Sequence, residues 1–193
     1  MSDPDPRETL VRYYRWLREH GLNDSHSGNA SVLDGEAAWV TPTGCGGDTL
    51  VPSDLVRCPL AGAPPKGASL DAPLHLAVYR ANRAARAVLH SHGPWSIAVT
   101  LRGGDFRPVD FEGRYYFPRV PVLDIPEDRY TADSPGQVAA ALAGHPVCLV
   151  RGHGVYAAGE SLDKAYKWTC SLESSARIAG LAGILGTLPP GDA

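Results

Sequence analysis

The sequence predicts a single α/β domain. Three observations predict it. The chain has 193 residues, enough for one well-formed core but short for two. Short apolar runs of strand character are interspersed with helical stretches able to cover them. No repeat and no linker-like segment divides the chain.

The elements follow in order. Leu10, Val11, Tyr14 and Leu17 form a stripe at helical spacing within residues 7–20, and Gly21 stops that helix. Residues 30–33 and 38–41 read as two strands around the turn Asp34-Gly35. Pro52-Ser53-Asp54 suits a helical turn, residues 56–60 a strand, and the Gly/Pro-rich stretch 61–67 a loop. A helix is expected over 72–82, with Asp71 placed to cap it and Pro73 tolerated in its first turn. Strands follow at 87–92 and 120–123, then a short helix at 137–143. Two more strands, 147–150 and 155–158, flank Arg151-Gly152-His153-Gly154. A long helix over 160–185 carries Leu162, Ala165, Tyr166, Thr169, Leu172 and Ala176 on one side. The domain is therefore placed at residues 7–185, and 186–193, with Pro189-Pro190-Gly191, is expected to be a disordered tail.

Composition narrows the function classes. Apolar residues make up 44% and charged residues 20%, the balance of a globular protein. The net charge of −3 carries no basic face of the kind nucleic-acid binding needs, so no nucleic acid is expected as partner. The polar, acidic N-terminus argues against a signal peptide, and no apolar run approaches the roughly 18 residues of a membrane span. Cys45, Cys58, Cys148 and Cys170 lack CxxC spacing and read as reduced packing residues. A cytoplasmic protein without membrane contact is the expectation.

Histidines carry the chemistry. His90 and His92 sit at the end of a predicted strand, where residues two apart project to the same side. His153 follows another predicted strand between two glycines, which permit close backbone approach and unusual conformations. An H-x-H pair alone is a weak signal. Three imidazoles with an open position form the ligand pattern of catalytic zinc, whereas structural zinc sites are closed and cysteine-rich. Asp71 stands at the start of the intervening helix. It is a candidate metal ligand or general base, and equally a plain N-cap, the reading its position alone favours. His75 reads as a supporting or packing residue. Ser27-Gly28-Asn29-Ala30-Ser31 and Thr41-Pro42-Thr43-Gly44 offer small residues, hydroxyls and backbone N–H groups suited to an anion, a composition that turns share.

Taken together, these segments resemble the class II aldolase/adducin family. The match runs from about residue 8 to 180 and rests on Ser27-Gly28-Asn29, Thr41-Pro42-Thr43-Gly44, Ser69-Leu70-Asp71-Ala72-Pro73-Leu74-His75, Ala87-Val88-Leu89-His90-Ser91-His92, Arg151-Gly152-His153-Gly154 and the helix around Leu172-Glu173. The order and spacing of these segments is more specific than any one of them. The resemblance implies a central, mainly antiparallel sheet flanked by helices, and cyclic homotetramers with active sites between subunits. It implies a zinc site, or another divalent ion, on His90, His92 and His153, with Asp71 as ligand and base. Asn29, Thr43, Gly44 and Ser69 match positions lining a phosphate pocket, and a tyrosine, Tyr115 or Tyr116 of a neighbouring subunit, would donate a proton.

The activity so implied is an aldehyde-lyase acting on a small phosphorylated sugar through a metal-stabilised enediolate. An epimerase working by retro-aldol chemistry is the alternative, and a non-catalytic domain of the same fold a further one. Two departures bear on the choice. The fuculose-phosphate aldolase pattern has glutamate at Asp71, whereas the ribulose-phosphate epimerase pattern has aspartate. Leu70 replaces the second serine of a Ser-Ser pair, removing one hydroxyl from the phosphate pocket.

Overall fold

A computed structural model of the chain describes residues 5–189. Helix α1 (Pro6–Glu19) starts where the Asp5 carboxylate accepts the Arg7 N–H at 2.9 Å, and Pro6 occupies the first turn, where its missing N–H costs nothing. The stripe Leu10, Val11, Tyr14 and Leu17 is buried, joined by Tyr13. Strands β1 (Asn29–Asp34) and β2 (Ala37–Val40) form the expected hairpin, and β3 (Val56–Pro59) follows a 3-10 turn at Pro52–Asp54. Then come α2 (Ala72–Ala81), β4 (Ala87–Ser91), α3 (Pro94–Ala98), α4 (Phe111–Tyr116), β5 (Val122–Leu123), α5 (Tyr130–Gly144), β6 (Val147–Val150), β7 (Gly154–Gly159) and α6 (Leu162–Leu185).

The seven strands form one sheet in the order β3-β2-β1-β4-β7-β6-β5. Every pairing is antiparallel except β5 with β6, so the sheet is mainly antiparallel, as the resemblance implied. Both faces are covered, and strand alternation sorts the side chains between them. Val88, Cys148, Val150, Tyr156 and Ala158 meet Leu74, Leu76 and Val78 of α2 and Val138 and Leu142 of α5. Their neighbours one residue away point to the opposite face. Ala87 and Leu89 pack with α1, and Leu149, Val155 and Ala157 pack with Leu172 and Ala176 of α6. Each of these valines and leucines contributes about 1.5–3 kcal/mol on full burial, so the middle strands β4, β7 and β6 form a rigid base for whatever their ends carry.

The structure departs from the sequence reading in a few places. Helix α5 begins at Tyr130, not Gln137, and runs through Pro135, which ordinarily disfavours a helix interior. Helices α3 and α4 are short and depend on tertiary or local caps. Glu173 of α6 accepts the Trp95 and Ser96 N–H groups at 3.0 and 2.8 Å, and Asp110 accepts that of Gly113 at 2.9 Å. The expected strand 120–123 shrinks to Val122–Leu123, with Val120 in an isolated bridge to Phe106. Helix α6 closes on Gly186, whose φ of +67° is the left-handed conformation of a glycine cap. Of the expected disordered tail, residues 190–193 lie outside the described residues, as do residues 1–4 of the N-terminus. No described helix is long and apolar enough to cross a membrane. Cys58 and Cys148 are buried, Cys45 and Cys170 half-buried, and all four are free thiols.

Candidate metal centre and active site

Sheet register builds the site. Asn29 of β1 pairs with His90 of β4, and His90 pairs with Tyr156 of β7. Residues directly opposite in antiparallel strands lie about 4.5–5.5 Å apart, so these three side chains stand in one row on the face covered by α2 and α5. Helix α2 brings Asp71 over the row. His92 lies just past the end of β4, its N–H donating to the Leu22 carbonyl at 2.8 Å and to Asn23 Oδ1 at 3.0 Å. His153 lies in the tight turn joining β6 to β7.

The glycines around His153 have separate reasons. Gly152 has φ +69°, in the left-handed region that favours glycine. Gly154 is a close approach: a Cβ there would run into the Ser91 carbonyl oxygen and come within 2.8 Å of His92 Cδ2 and 3.0 Å of His90 Cε1.

His90, His92 and His153 each offer a nitrogen, and these nitrogens lie within 4.8 Å of one another. Among the described residues this is the one cluster of that kind. His90 Nδ1 donates to the Val155 carbonyl at 2.9 Å, so its Nε2 is the lone-pair nitrogen, 3.0 Å from His153 Nε2. Burial pushes all three imidazoles down in pKa, His92 to about 4 and His90 well below the usual histidine range. Neutral imidazole is the form that binds metal. His92 Nδ1 is buried and without a hydrogen-bond partner. A convergent, neutral, three-nitrogen donor set fits a divalent transition ion with one or more coordination positions left for substrate.

Asp71 sits at the head of α2 yet caps nothing with its side chain. Its carboxylate turns toward the row. Oδ2 accepts from Asn29 Nδ2 at 2.9 Å and from the Tyr156 hydroxyl at 2.8 Å, while Oδ1 accepts from the Tyr130 hydroxyl at 2.9 Å. The same Oδ2 lies 3.9 Å from His90 Nε2. Burial works to raise the Asp71 carboxyl, but the hydrogen bonds donated by Asn29 and Tyr156 hold it below its ordinary value. Asp71 is therefore an ionised, buried carboxylate beside three neutral imidazoles.

Tyr130 and Tyr156 are the residues that sequence reasoning missed. Their hydroxyls touch each other as well as Asp71. The Tyr156 ring stacks on His90, and the Tyr130 ring stacks on His153 at 4.8 Å between centroids. Burial raises the pKa of both phenols, keeping them protonated donors. Tyr130 also lines a cavity of about 260 Å³ with Ile125, Glu127, Arg151 and His153.

The other expected site residues fall as follows. The segment carrying Thr43 and Gly44 pairs with that carrying Ser69: the Thr43 N–H donates to Gly67 O and the Ser69 N–H to Thr41 O, both at 3.0 Å. Thr41 in turn is tied to β1, its hydroxyl accepting the Ala30 N–H at 3.1 Å. Asn29, in contrast, has its amide occupied at both ends, by Asp71 and by His75 at 2.6 Å. Tyr115 and Tyr116 lie on α4. Tyr115 is 77% exposed, and Tyr116 packs on Trp168 and under Lys167. Neither is among the groups that hold Asp71 in its own chain.

Comparison with known proteins gives the family. The family described as the Class II Aldolase and Adducin N-terminal domain matches residues 8–179. The crystal structure of L-fuculose-1-phosphate aldolase from Thermus thermophilus superposes with a TM-score of 0.87 at 33% identity, covering 96% of this chain and 98% of that one. The 3-oxo-tetronate 4-phosphate decarboxylase of Escherichia coli (strain K12) is 31% identical over 189 residues, 92% of this chain and 87% of that protein. A probable bifunctional methylthioribose-1-phosphate isomerase/methylthioribulose-1-phosphate dehydratase of Nocardia farcinica is 30% identical over 83% of this chain, which spans only 33% of that longer protein. Aldolase, decarboxylase and dehydratase activities thus occur among its relatives. The chain belongs to the class II aldolase and adducin N-terminal domain family and is an enzyme of that superfamily.

Proposed function

We propose that the protein is a zinc-dependent aldehyde-lyase that cleaves or forms a carbon–carbon bond in a small ketose phosphate. The observation that carries this reading is the Asp71 carboxylate held 3.9 Å from the lone-pair nitrogen of His90, at the edge of the three-imidazole cluster. His90, His92 and His153 would hold the ion, with Asp71 a further ligand before substrate arrives. When bound, the ion supplies Lewis-acid polarisation of a substrate carbonyl and charge stabilisation as the bond breaks.

The chain's own groups do the rest. In the direction of bond formation, Asp71, ionised and oriented by three donors, accepts a proton from the carbon beside the substrate carbonyl. Tyr130 and Tyr156 hold that carboxylate. A tyrosine donates the proton to the oxygen of the aldehyde fragment as the new bond forms, and Tyr115 or Tyr116 of a neighbouring copy is the proposed donor, in a homotetramer with active sites between subunits. Thr43, Gly44 and Ser69 are proposed to take the phosphate by hydroxyl and backbone donors, with Asn29 contributing at the rim. A cytoplasmic location fits the thiols and the phosphorylated substrate class.

Decarboxylation of a phosphorylated 3-oxo sugar acid is a second reading, supported by the 31% identical decarboxylase. It would use the same electrophilic stabilisation, with carbon dioxide leaving in place of an aldehyde. Epimerisation shares the first bond cleavage and differs in re-addition. One experiment separates the three. Metal-loaded protein is incubated with four- to six-carbon ketose phosphates and 3-oxo acid phosphates, and the products are identified. Release of dihydroxyacetone phosphate is expected. Carbon dioxide alone, or a stereoisomer alone, would replace the lyase reading by the corresponding one.

A further inference from the structure

Behind Asp71 a line of buried polar groups runs away from the histidine cluster. The Tyr79 hydroxyl lies 2.6 Å from Ser31 Oγ, Ser31 Oγ 2.7 Å from His75 Nδ1, and His75 Nε2 2.6 Å from Asn29 Oδ1. Ser31 and His75 are fully buried and Tyr79 nearly so. Asp71 and His75 lie four residues apart on α2, so both face β1, and the Asn29 amide spans the turn between them.

The direction of every bond in this line is forced. A carboxylate only accepts, so the amide nitrogen of Asn29 must face Asp71 and its oxygen must face His75. That oxygen needs a donor, so His75 carries its proton on Nε2. Burial lowers the His75 pKa to about 4, which leaves the ring neutral and Nδ1 an acceptor. Ser31 must then donate to Nδ1, and Tyr79 to Ser31. With the opposite amide orientation, the Asn29 oxygen would oppose the Asp71 carboxylate with no hydrogen between them.

We infer that Tyr79, Ser31 and His75 form a one-way hydrogen-bond chain that fixes the amide of Asn29 and, through it, the angle at which Asp71 meets the substrate. His75 is a positioning residue, and Asn29 is the last link of the chain in addition to any part at the phosphate rim. The inference rests on the reading of Asp71 as the base only for its kinetic consequence. The bond directions stand without it.

The test has two independent arms. Histidine tautomers are read from long-range 1H–15N correlation spectra of the full chain at neutral pH, the His75 signals being assigned by their loss in His75→Gln. The expected result is the Nε2–H tautomer with a hydrogen-bonded Nδ1, and in Ser31→Ala an Nδ1 signal shifted to the value of an unbonded acceptor. An Nδ1–H tautomer in the native protein would overturn the proposal. The second arm compares His75→Leu with His75→Gln on the substrate found by the product screen. His75→Leu should lower kcat by roughly tenfold, the loss of one bond that supports a charged group, with KM within about twofold. His75→Gln, which keeps a donor for Asn29, should recover most of it. A folded His75→Leu protein with native kcat would also overturn the proposal. If no substrate turned over in the native enzyme, the lyase reading would fail while the tautomer spectrum still decided the chain.

Discussion

The ring of Tyr156 lies flat against the imidazole of His90, 4.0 Å between centroids and 2° between planes, because the two residues are direct partners across β4 and β7. This stack fixes the His90 ring from one side while the Val155 carbonyl fixes it through Nδ1. It also aims the Tyr156 hydroxyl at Asp71. One residue thus sets both a metal-competent nitrogen and the carboxylate beside it.

Tyr156→Phe separates those two tasks. The phenyl ring keeps the stack, so bound metal per chain should stay as in the native protein. Asp71 loses one of its three donors, which for a charged acceptor is worth about 1.5–3 kcal/mol, and kcat should fall roughly tenfold or more. Metal content measured beside turnover checks this. Loss of metal with the hydroxyl would assign Tyr156 to the metal centre instead.

Asp71→Asn tests the base. Because the Asp71 side chain makes no cap bond, asparagine's quality as a cap does not bear on the outcome, and α2 should form as before. An amide cannot take the proton, so turnover should drop by about 10²–10⁴, with the far-ultraviolet circular dichroism unchanged. Near-native turnover would move the base to another group.

His92→Ala tests the ion. The imidazole is at the end of β4, outside the packed interior of the sheet, so the variant should fold. It should hold far less than the roughly one zinc per chain expected of the native protein, by elemental analysis after dialysis. Retention of stoichiometric metal would exclude His92 from the ligand set.

Gly154→Ala should damage the same centre without replacing a ligand. The added methyl would meet the Ser91 carbonyl and press on both His90 and His92. The expected result is weaker metal binding in a competition with a chromophoric chelator, together with a Tm lowered by several degrees. Native affinity would mean that the β6–β7 turn yields more freely than its packing implies.

Much of this was legible in the sequence, for local reasons. The stripe at Leu10, Val11, Tyr14 and Leu17 and the turn at Asp34-Gly35 are short-range signals, and each element formed where it was expected. The Gly-His-Gly turn likewise placed His153 at a strand end. Tyr156 was hidden because its partner His90 is 66 positions earlier, and only the register of β4 against β7 joins them. Tyr130 was hidden because it lies outside the helix expected at 137–143, whereas α5 begins at Tyr130. Asp71 looked like a cap because its position is a cap position. What the sequence could not convey was that three donors from β1, β7 and α5 turn its side chain the other way.

Acid titration gives a last prediction, on stability. His75 is fully buried and its pKa is pushed down to about 4 by burial, against an ordinary value of 6.5 when unfolded. Between those values the unfolded chain binds a proton that the folded chain does not, so stability falls as pH drops through that window and is unaffected above it. The shift corresponds to at most about 3 kcal/mol. His75→Gln lacks this titration, whereas His90, His92 and His153 remain in both proteins and cancel in the comparison. Urea unfolding from pH 8 to pH 4 should therefore show the native protein losing stability more steeply than the variant, by up to that amount, with the two curves parallel above pH 7. Parallel curves throughout would mean that His75 gains its proton in the folded state as readily as in water, and that its site is wetter than the structure has it.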